Sequence, residues 1–378
     1  MSLRRAACQR PRPELERPVP KAYSARVKVA VLVSGGVDSS VALARLRREP
    51  GLELHAFYLR IWLEDELAYL GDCPWEEDLR HARSVTDQLG VPLEVVSLQT
   101  AYHERVVAHA VAELARGRTP SPDLHCNERV KFGAFMELVG AGFDRVATGH
   151  YARVSHADQV PSRLLAAADP VKDQTYFLAR LTQGQLARVL FPIGDLAKAE
   201  VRAEARALGL STQSRPDSQG ICFLGKIPYP EFVRHHLGDR PGAIVDRDTG
   251  KTLGAHAGLW FHTIGQRKGM GLAGGPWFVV DKDPATQTLF VAHADRVHAH
   301  HRADFEVEDA RWLGSPAPLP ARLEVKLRHG PRRVGCTLSH ALADRLRVTL
   351  DTPDPGVAPG QFAVFYDGAE CLGSAVIA

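Results

Sequence analysis

Three stretches of this sequence carry residue types that can do chemistry. The first is Ser34-Gly35-Gly36-Val37-Asp38-Ser39-Ser40, where two glycines stand among short hydroxyls and a carboxylate. Glycine lets the backbone approach a phosphate with no Cβ in the way. A helix that starts here adds unpaired N–H groups and the positive end of its dipole. An ordinary strand–helix turn capped by Ser or Asp uses similar residues, but all seven together point to an anion loop. The Lys-Ser/Thr pair of a Walker A loop is missing, which argues against γ-phosphate transfer.

The other two stretches centre on cysteines. Cys126 sits in Gly117-Arg118-Thr119-Pro120-Ser121-Pro122-Asp123-Leu124-His125-Cys126-Asn127. Two prolines there predict a rigid loop rather than a helix. Arg129 and Lys131 follow, and nearby cations raise the thiolate fraction of a cysteine. Cys222 sits in Asp217-Ser218-Gln219-Gly220-Ile221-Cys222-Phe223, with Gly220 and Gly225 on either side. A small buried core residue is the commonest fate of a free cysteine, and each of these admits that reading. Ser34–Ser40 resembles a PP-loop, which implies activation of a substrate as its adenylate, and beside such a loop the two cysteines as a pair suit sulfur transfer. ATP activates a carbonyl oxygen, one cysteine supplies sulfur as a persulfide, and the other cleaves the S–S bond or carries an intermediate.

These residues need elements to hold them. Val27–Val33 reads as a buried strand and Val41–Arg48 as a helix. Strand-like runs at Glu53–Leu59, Leu93–Ser97 and Asp144–Thr148 alternate with helical runs at Glu76–Leu89, Tyr102–Arg116 and Phe132–Val139. This alternation predicts βαβ units, hence a doubly wound parallel sheet with helices on both faces. Ligands of such sheets lie at the carboxyl ends of the strands. The Ser34–Ser40 loop and Thr148-Gly149-His150 both fall there. The character changes beyond Leu210, to a polar, turn-rich and then Gly-rich region with short strands at Trp277–Val280 and Leu289–Val291. From about residue 300 apolar and charged residues alternate, as in Leu323–Arg328, Arg345–Leu350 and Phe362–Tyr366. A small C-terminal β-barrel is expected, with basic side chains on its wet face. The expected domains are a basic extension at 1–27, a catalytic domain at 28–214, a small central domain at 215–299 carrying Cys222, and the barrel at 300–378.

The 378 residues are 45% hydrophobic and 24% charged, as in an ordinary globular protein. No apolar run has the length of a membrane span. Residues 1–27 hold seven Lys/Arg against two Glu, so the net charge of +3 comes from that end. Nucleic-acid binding would therefore need a local patch. Arg322, Lys326, Arg328, Arg332, Arg333, Arg345 and Arg347 form one in the expected barrel. The first 27 residues lack an apolar core segment and are not a secretory signal; they read as a disordered extension or as part of an organellar presequence. The six cysteines make no CxxC pair or zinc spacing, which fits a reducing compartment. Cys73, before Pro74 and a run of acids, reads as the opening of a helix. Cys8, Cys336 and Cys371 lack chemical context. His150 at a strand end is a candidate polar site residue, whereas Lys172-Asp173-Gln174 reads by itself as a solvated turn.

Taken together these motifs resemble a family. Ser34–Ser40 resembles the PP-loop of ATP pyrophosphatases, with the adenine nucleotide alpha hydrolase-like fold. Adding Gly117–Pro120, Cys126-Asn127, Ala147–Tyr151, Lys172–Gln174, Gly220–Phe223, Thr263–Gly269, Trp277–Asp283 and Pro359–Tyr366, the chain from about residue 28 to 378 is similar to the tRNA-specific 2-thiouridylase (MnmA) family. The resemblance implies ATP- and Mg²⁺-dependent thiolation of C2 of the wobble uridine (position 34) in tRNAs for Lys, Glu and Gln. It implies that Leu32, Val33, Ser34, Gly35, Gly36, Val37, Asp38, Ser39, Leu59 and Gly149 line ATP, with Asp38 the magnesium-linked carboxylate. Cys126 corresponds to the nucleophile and Cys222 to the persulfide carrier. Ser121, Pro122 and Asp123 correspond to the segment facing the target base. His150, Lys172, Asp173, Gln174, Arg328, His329 and Gln361 correspond to tRNA contacts.

Two positions depart from the family pattern: Ser121 stands where Asn is usual, and His329 where an aromatic often follows the arginine. Phe57–Glu66 and Asp72–Asp78 resemble a subgroup of plastids and some bacteria, so the expected cytoplasmic location has a plastid or mitochondrial alternative. The implied partners are tRNA and a persulfide sulfur carrier or cysteine desulfurase, with no membrane, for a monomeric enzyme. The rival readings are another PP-loop adenylating ligase or RNA-modifying enzyme with a different nucleophile, and an RNA-binding protein with a dead ATP fold.

Overall fold

The computed structural model describes residues 26–61, 75–157, 160–217, 228–342 and 344–378. Cys8, Cys73 and Cys222 lie outside them, as does the whole of the segment 62–74. β1 (Val27–Leu32), β2 (Leu52–Arg60), β3 (Leu93–Ser97) and β4 (Arg145–Thr148) are parallel strands. β5 (Arg153–Ala157) and β6 (Val160–Leu165) form a hairpin beyond them, and the short β7 (Val189–Leu190) completes the parallel sheet in the order β3-β2-β1-β4-β7. The chain runs one way from β1 to β3 and the other way to β4, so the switch point lies between β1 and β4.

Alternation along β1 shows why the sheet is covered on both faces. Ala30 and Leu32 enter one core with Phe57, Tyr102 and Val130. Val29, Val31 and Val33 enter another with Val41, Leu43 and Ala82. The second layer is α1 (Val37–Arg48) and α2 (Trp75–Leu89), whose first turn carries Glu76, Glu77 and Asp78 as a helix N-terminus prefers. The first layer contains α3 (99–115) and α4 (122–138), each with a wide π-type stretch, at His103–Val107 and Cys126–Ala134. Such stretches in longer helices are frequent at functional sites.

Here the structure corrects the expected loop around Cys126, which lies in α4. Pro122 occupies the first helical turn, where its missing N–H costs nothing and its fixed φ favours the helix. Of the two prolines only Pro120 is outside the helix.

Further along, α5 (Lys198–Ala207) packs on α1, and α6 (Tyr229–Leu237) leads into a four-stranded sheet. That sheet comprises β8 (Gly242–Asp246), β9 (Thr252–His256), β10 (Trp277–Asp283) and β11 (Thr288–His293), ordered β10-β11-β8-β9. The final six strands are β12 (Arg302–Trp312), β13 (Ala321–Lys326), β14 (Val334–His340), β15 (Leu346–Asp354), β16 (Phe362–Asp367) and β17 (Glu370–Ile377). They run β12-β15-β14-β13-β16-β17, and β17 pairs back with β12, closing an antiparallel barrel. Cys336 and Cys371 are buried in it, and burial pushes both thiols up to about 12.

The β5–β6 hairpin has no counterpart in the sequence reading. β6 adds to β17 through Leu165↔Glu370 and Leu164↔Cys371, so a strand pair of the catalytic domain extends the barrel sheet. Backbone hydrogen bonds thus stitch the first domain to the last.

Candidate active site

The loop after β1 is built by its own side chains. Ser39 Oγ receives the Ser34 N–H at 3.1 Å, and Ser39 and Ser40 hydroxyls donate to the Gly36 carbonyl at 3.1 and 2.8 Å. Gly35 has φ +75, and a Cβ there would collide with the Asp78 carbonyl of α2. Gly36 caps α1 in extended conformation, leaving the first helical N–H groups free for an anion. Arg215 secures the turn, donating to the Gly35 carbonyl at 2.8 Å and to Asp78 at 2.7 Å. Leu59 lies near the end of β2, beside this edge of the sheet.

Two strand ends meet at the switch point. A Cβ on Gly149 would lie 2.6 Å from the Ser39 nitrogen, so the end of β4 rests directly on the loop. The next residue faces the other way. The His150 ring lies 6.3 Å from Phe132 of α4 and 6.1 Å from Phe191, with Nδ1 2.8 Å from the Thr148 hydroxyl. Burial, then the charge of Lys131, lowers His150 to about 3, so the ring is neutral near pH 7. Gly149-His150 therefore joins the phosphate loop to the helix that carries Cys126.

Asp38 is held by residues the sequence reading did not single out. Lys198 Nζ lies 2.7 and 2.9 Å from its two oxygens, and the Tyr151 hydroxyl donates to one at 2.8 Å. Lys198 Nζ is also 2.9 Å from Asp217, which pairs in turn with Lys172 at 2.7 Å and Arg202 at 2.6 Å. Burial works against the Asp217 charge, but Lys172 and Lys198 hold its carboxyl well below the usual range. Burial and the adjacent Asp38 raise the Tyr151 phenol far above its ordinary value. A signal for Lys198 did exist: it opens α5, where the helix dipole disfavours a cation.

The fit to magnesium rests on the same carboxylate. Among the described residues no group of three or more His, Cys, Asp or Glu could hold a metal. Mg²⁺ bound chiefly by nucleotide phosphates needs only one or two carboxylates. Asp38 suits that role if Lys198 yields an oxygen, and Asp217 is placed to retain the lysine.

On the other side of the site, Cys126 is 1% exposed, within the core that includes Leu124, Val130 and Tyr176. Of the cations expected to activate it, Arg129 instead faces Glu128 at 3.7 Å and donates to the Arg105 carbonyl at 3.1 Å. Asn127 donates to the Phe177 carbonyl at 3.0 Å, and the Phe177 ring stacks on His329 of the barrel at 4.6 Å. An imidazole thus supplies the flat face where an aromatic was expected. Ser121 precedes the helix, and Pro122 and Asp123 form its half-buried first turn.

The remaining expected contacts divide. Arg328 makes a two-pronged pair with Asp354 at 2.9 and 2.8 Å, and Gln361 is half-buried just before β16. Lys172-Asp173-Gln174 is not the solvated turn its composition suggests. Asp173 is 2% exposed and accepts from Lys326 Nζ at 2.7 Å, from Thr175 and from the Ala167 N–H. Gln174 accepts from the Tyr151 N–H at 2.9 Å. Lys326, itself 2% exposed, is correspondingly not on the wet face of the barrel. Arg322, Arg333, Arg345 and Arg347 pair with Asp351, Glu324, Glu306 and Glu306 respectively, so much of the basic patch is internally compensated.

A glycine loop at the switch point of a parallel sheet, without a Walker lysine and with an attached β-barrel, defines a PP-loop nucleotide-dependent enzyme. Family models match the chain in three consecutive parts: a tRNA methyl transferase HUP domain over 27–226, a tRNA methyl transferase PRC-barrel domain over 230–293, and an aminomethyltransferase β-barrel domain over 302–377. A tRNA-specific 2-thiouridylase of Parabacteroides distasonis is 45% identical over 93% of this chain and 99% of its own length. Those of Porphyromonas gingivalis and Bacteroides thetaiotaomicron are 45% and 43% identical, over 92% and 93% of this chain and 98% and 99% of theirs. The chain belongs to the tRNA-specific 2-thiouridylase family, and membership implies the use of ATP.

Proposed function

We propose that this enzyme is a tRNA-uridine 2-sulfurtransferase acting on the wobble uridine, position 34, of the Lys, Glu and Gln isoacceptors. One observation carries the reading. Gly149-His150 packs on the phosphate loop on one side and on the Cys126 helix on the other, which supports activation and sulfur handling at neighbouring positions. Residues 28–214 hold the nucleotide, 215–299 carry Cys222, and 300–378 hold RNA.

Backbone N–H groups of Gly35–Ser39 and the α1 N-terminus receive the phosphates. The uridine O2 attacks the α-phosphorus of ATP, pyrophosphate leaves, and C2 is left as an adenylate. Mg²⁺, when bound at the phosphates beside Asp38, stabilises the leaving pyrophosphate. The terminal sulfur of a Cys222 persulfide then bonds to C2, and AMP departs with the former O2. The Cys126 thiolate takes the Cys222 sulfur as the S–S bond breaks, leaving a disulfide for a cellular thiol to reduce. Ser121, Pro122 and Asp123 face the splayed-out base; His150, Lys172, Gln174, Arg328, His329 and Gln361 line the path of the RNA, with Asp173 buried behind them. A persulfide carrier protein or cysteine desulfurase charges Cys222, and the enzyme acts as a monomer in the cytoplasm.

The test is direct. The protein is incubated with unmodified tRNA, ATP, Mg²⁺ and a persulfide donor, and the anticodon is examined by mass spectrometry for exchange of one oxygen for sulfur. Absence of exchange with a competent donor overturns the proposal.

A further inference from the structure

We propose that the turn Gly117-Arg118-Thr119 is a positioning device that registers the Cys126 helix against the central domain and the β-barrel; the inference rests on the functional reading above. Each residue of the turn is fastened outside its own domain. The Gly117 carbonyl accepts from Lys282 Nζ of β10 at 3.2 Å. Arg118 donates to Glu308 of β12 at 3.1 Å and to the Ile377 carbonyl of β17 at 3.3 Å. The Thr119 N–H donates to the Pro359 carbonyl at 2.7 Å, before β16, and its hydroxyl lies 2.6 Å from that of Thr263, between β9 and β10. The central domain and the barrel therefore grip the same three residues.

The backbone is shaped for this grip. Gly117 has φ +77, and a Cβ there would lie 2.7 Å from Pro284 Cγ. Gly360, with φ +90, approaches from the barrel, and a Cβ on it would lie 2.9 Å from Arg118 Cβ. Arg118 also pairs with Glu113 near the end of α3 at 2.8 Å, which anchors the turn to its own domain.

The link from the turn to the thiol is short and stiff. Pro120 fixes one φ, Ser121 precedes the helix, and Pro122 fixes the first helical turn. Cys126 follows one turn later. A displacement of the central domain or barrel thus moves the start of α4 with little slack. Reacting groups misplaced by about 1 Å lose about a hundredfold in rate. A device that sets their register from the central domain and the barrel acts on the sulfur step and leaves the nucleotide loop, at the end of β1, alone.

Thr263→Val tests it, because Thr263 lies in the central domain and touches the turn through one hydroxyl. The expected result is a fall of about tenfold in kcat for thiolation. The tRNA KM and ATP affinity stay within about twofold, Thr263→Ser restores the rate, and Thr119→Val with Thr263→Val is no slower than either alone. Glu308→Gln, on the barrel side, lowers kcat in the same direction and covers the case in which Thr263→Val does not fold. Hydrogen exchange supplies a readout independent of turnover: bound tRNA slows the amides of residues 123–126 in the wild type, and Thr263→Val abolishes that slowing. Wild-type kcat in these variants, or a loss of ATP affinity equal to the loss of kcat, overturns the inference. If the wild type forms no thiouridine, the functional reading falls. The exchange experiment then still decides the register, because it needs only bound tRNA.

Discussion

Lys198 places its ammonium 2.7 and 2.9 Å from the two carboxylate oxygens of Asp38. This pairing neutralises a negative charge at the mouth of a phosphate site. Lys198→Gln leaves Asp38 facing the triphosphate uncompensated. A hydrogen bond to a charged group is worth about 1.5–3 kcal/mol, so ATP is expected to bind at least about tenfold more weakly at low Mg²⁺. Raising Mg²⁺ should recover part of the loss, since Asp38 is then free to meet the metal. Equilibrium dialysis at two Mg²⁺ concentrations measures both effects, and wild-type affinity in each would contradict this account of the loop.

The two cysteines separate sulfur transfer from the rival ligase chemistry. Cys126→Ser and Cys222→Ser each remove a thiol and keep a hydroxyl of similar size. Each is expected to abolish formation of thiouridine, while ATP affinity stays within about twofold because neither residue belongs to the phosphate loop. Mass spectrometry of the tRNA and a binding isotherm for ATP check the two halves. Full turnover in either variant would favour an adenylating ligase with another nucleophile.

The strand–loop–helix unit that carries the candidate phosphate loop is legible in the sequence because its signals are local. Strand, double glycine and helix follow one another within Val27–Arg48, and the βαβ alternation orders the parallel sheet around them. The helical setting of Cys126 is hidden in the sequence because Pro120 and Pro122 suggest a break, although proline in a first turn opens helices. Lys326 was placed on the wrong side of the barrel by its charge. Only a partner 153 residues away in sequence, Asp173, makes its burial possible, and no local pattern announces such a pair. The β5–β6 hairpin escaped for a similar reason, since β17, the edge it joins, lies at the other end of the chain.

The Lys326–Asp173 pair joins the barrel to the segment before Thr175, and both side chains are buried. Removing one partner strands the other charge away from water, at a cost of about 3–5 kcal/mol. Lys326→Met should therefore lower stability by that amount in urea denaturation. Lys326→Met combined with Asp173→Leu should recover much of it, because no buried charge then remains. Equal losses in the single and double variants would show that the pair is not the source of the effect.

Acid sensitivity follows from His150. Burial, with Lys131 second, lowers its folded pKa to about 3, whereas an unfolded histidine titrates near 6.5, at about the reference value. Between those values the unfolded chain binds a proton at this position and the native protein does not. Stability therefore rises with pH across the window, and falls as pH drops from about 6.5 toward 3. The neutral ring contributes its full packing above about 6.5. His109 and His262, each lowered to about 4 chiefly by burial, add to the slope with the same sign. His150→Asn removes one titrating group, so its melting temperature should decline less steeply between pH 6.5 and 4 than that of the wild type. Calorimetry at a series of pH values measures the two slopes. Parallel slopes would mean that His150 is not held neutral between Phe132 and Phe191, and that the junction between the phosphate loop and the Cys126 helix is more open to water than its packing indicates.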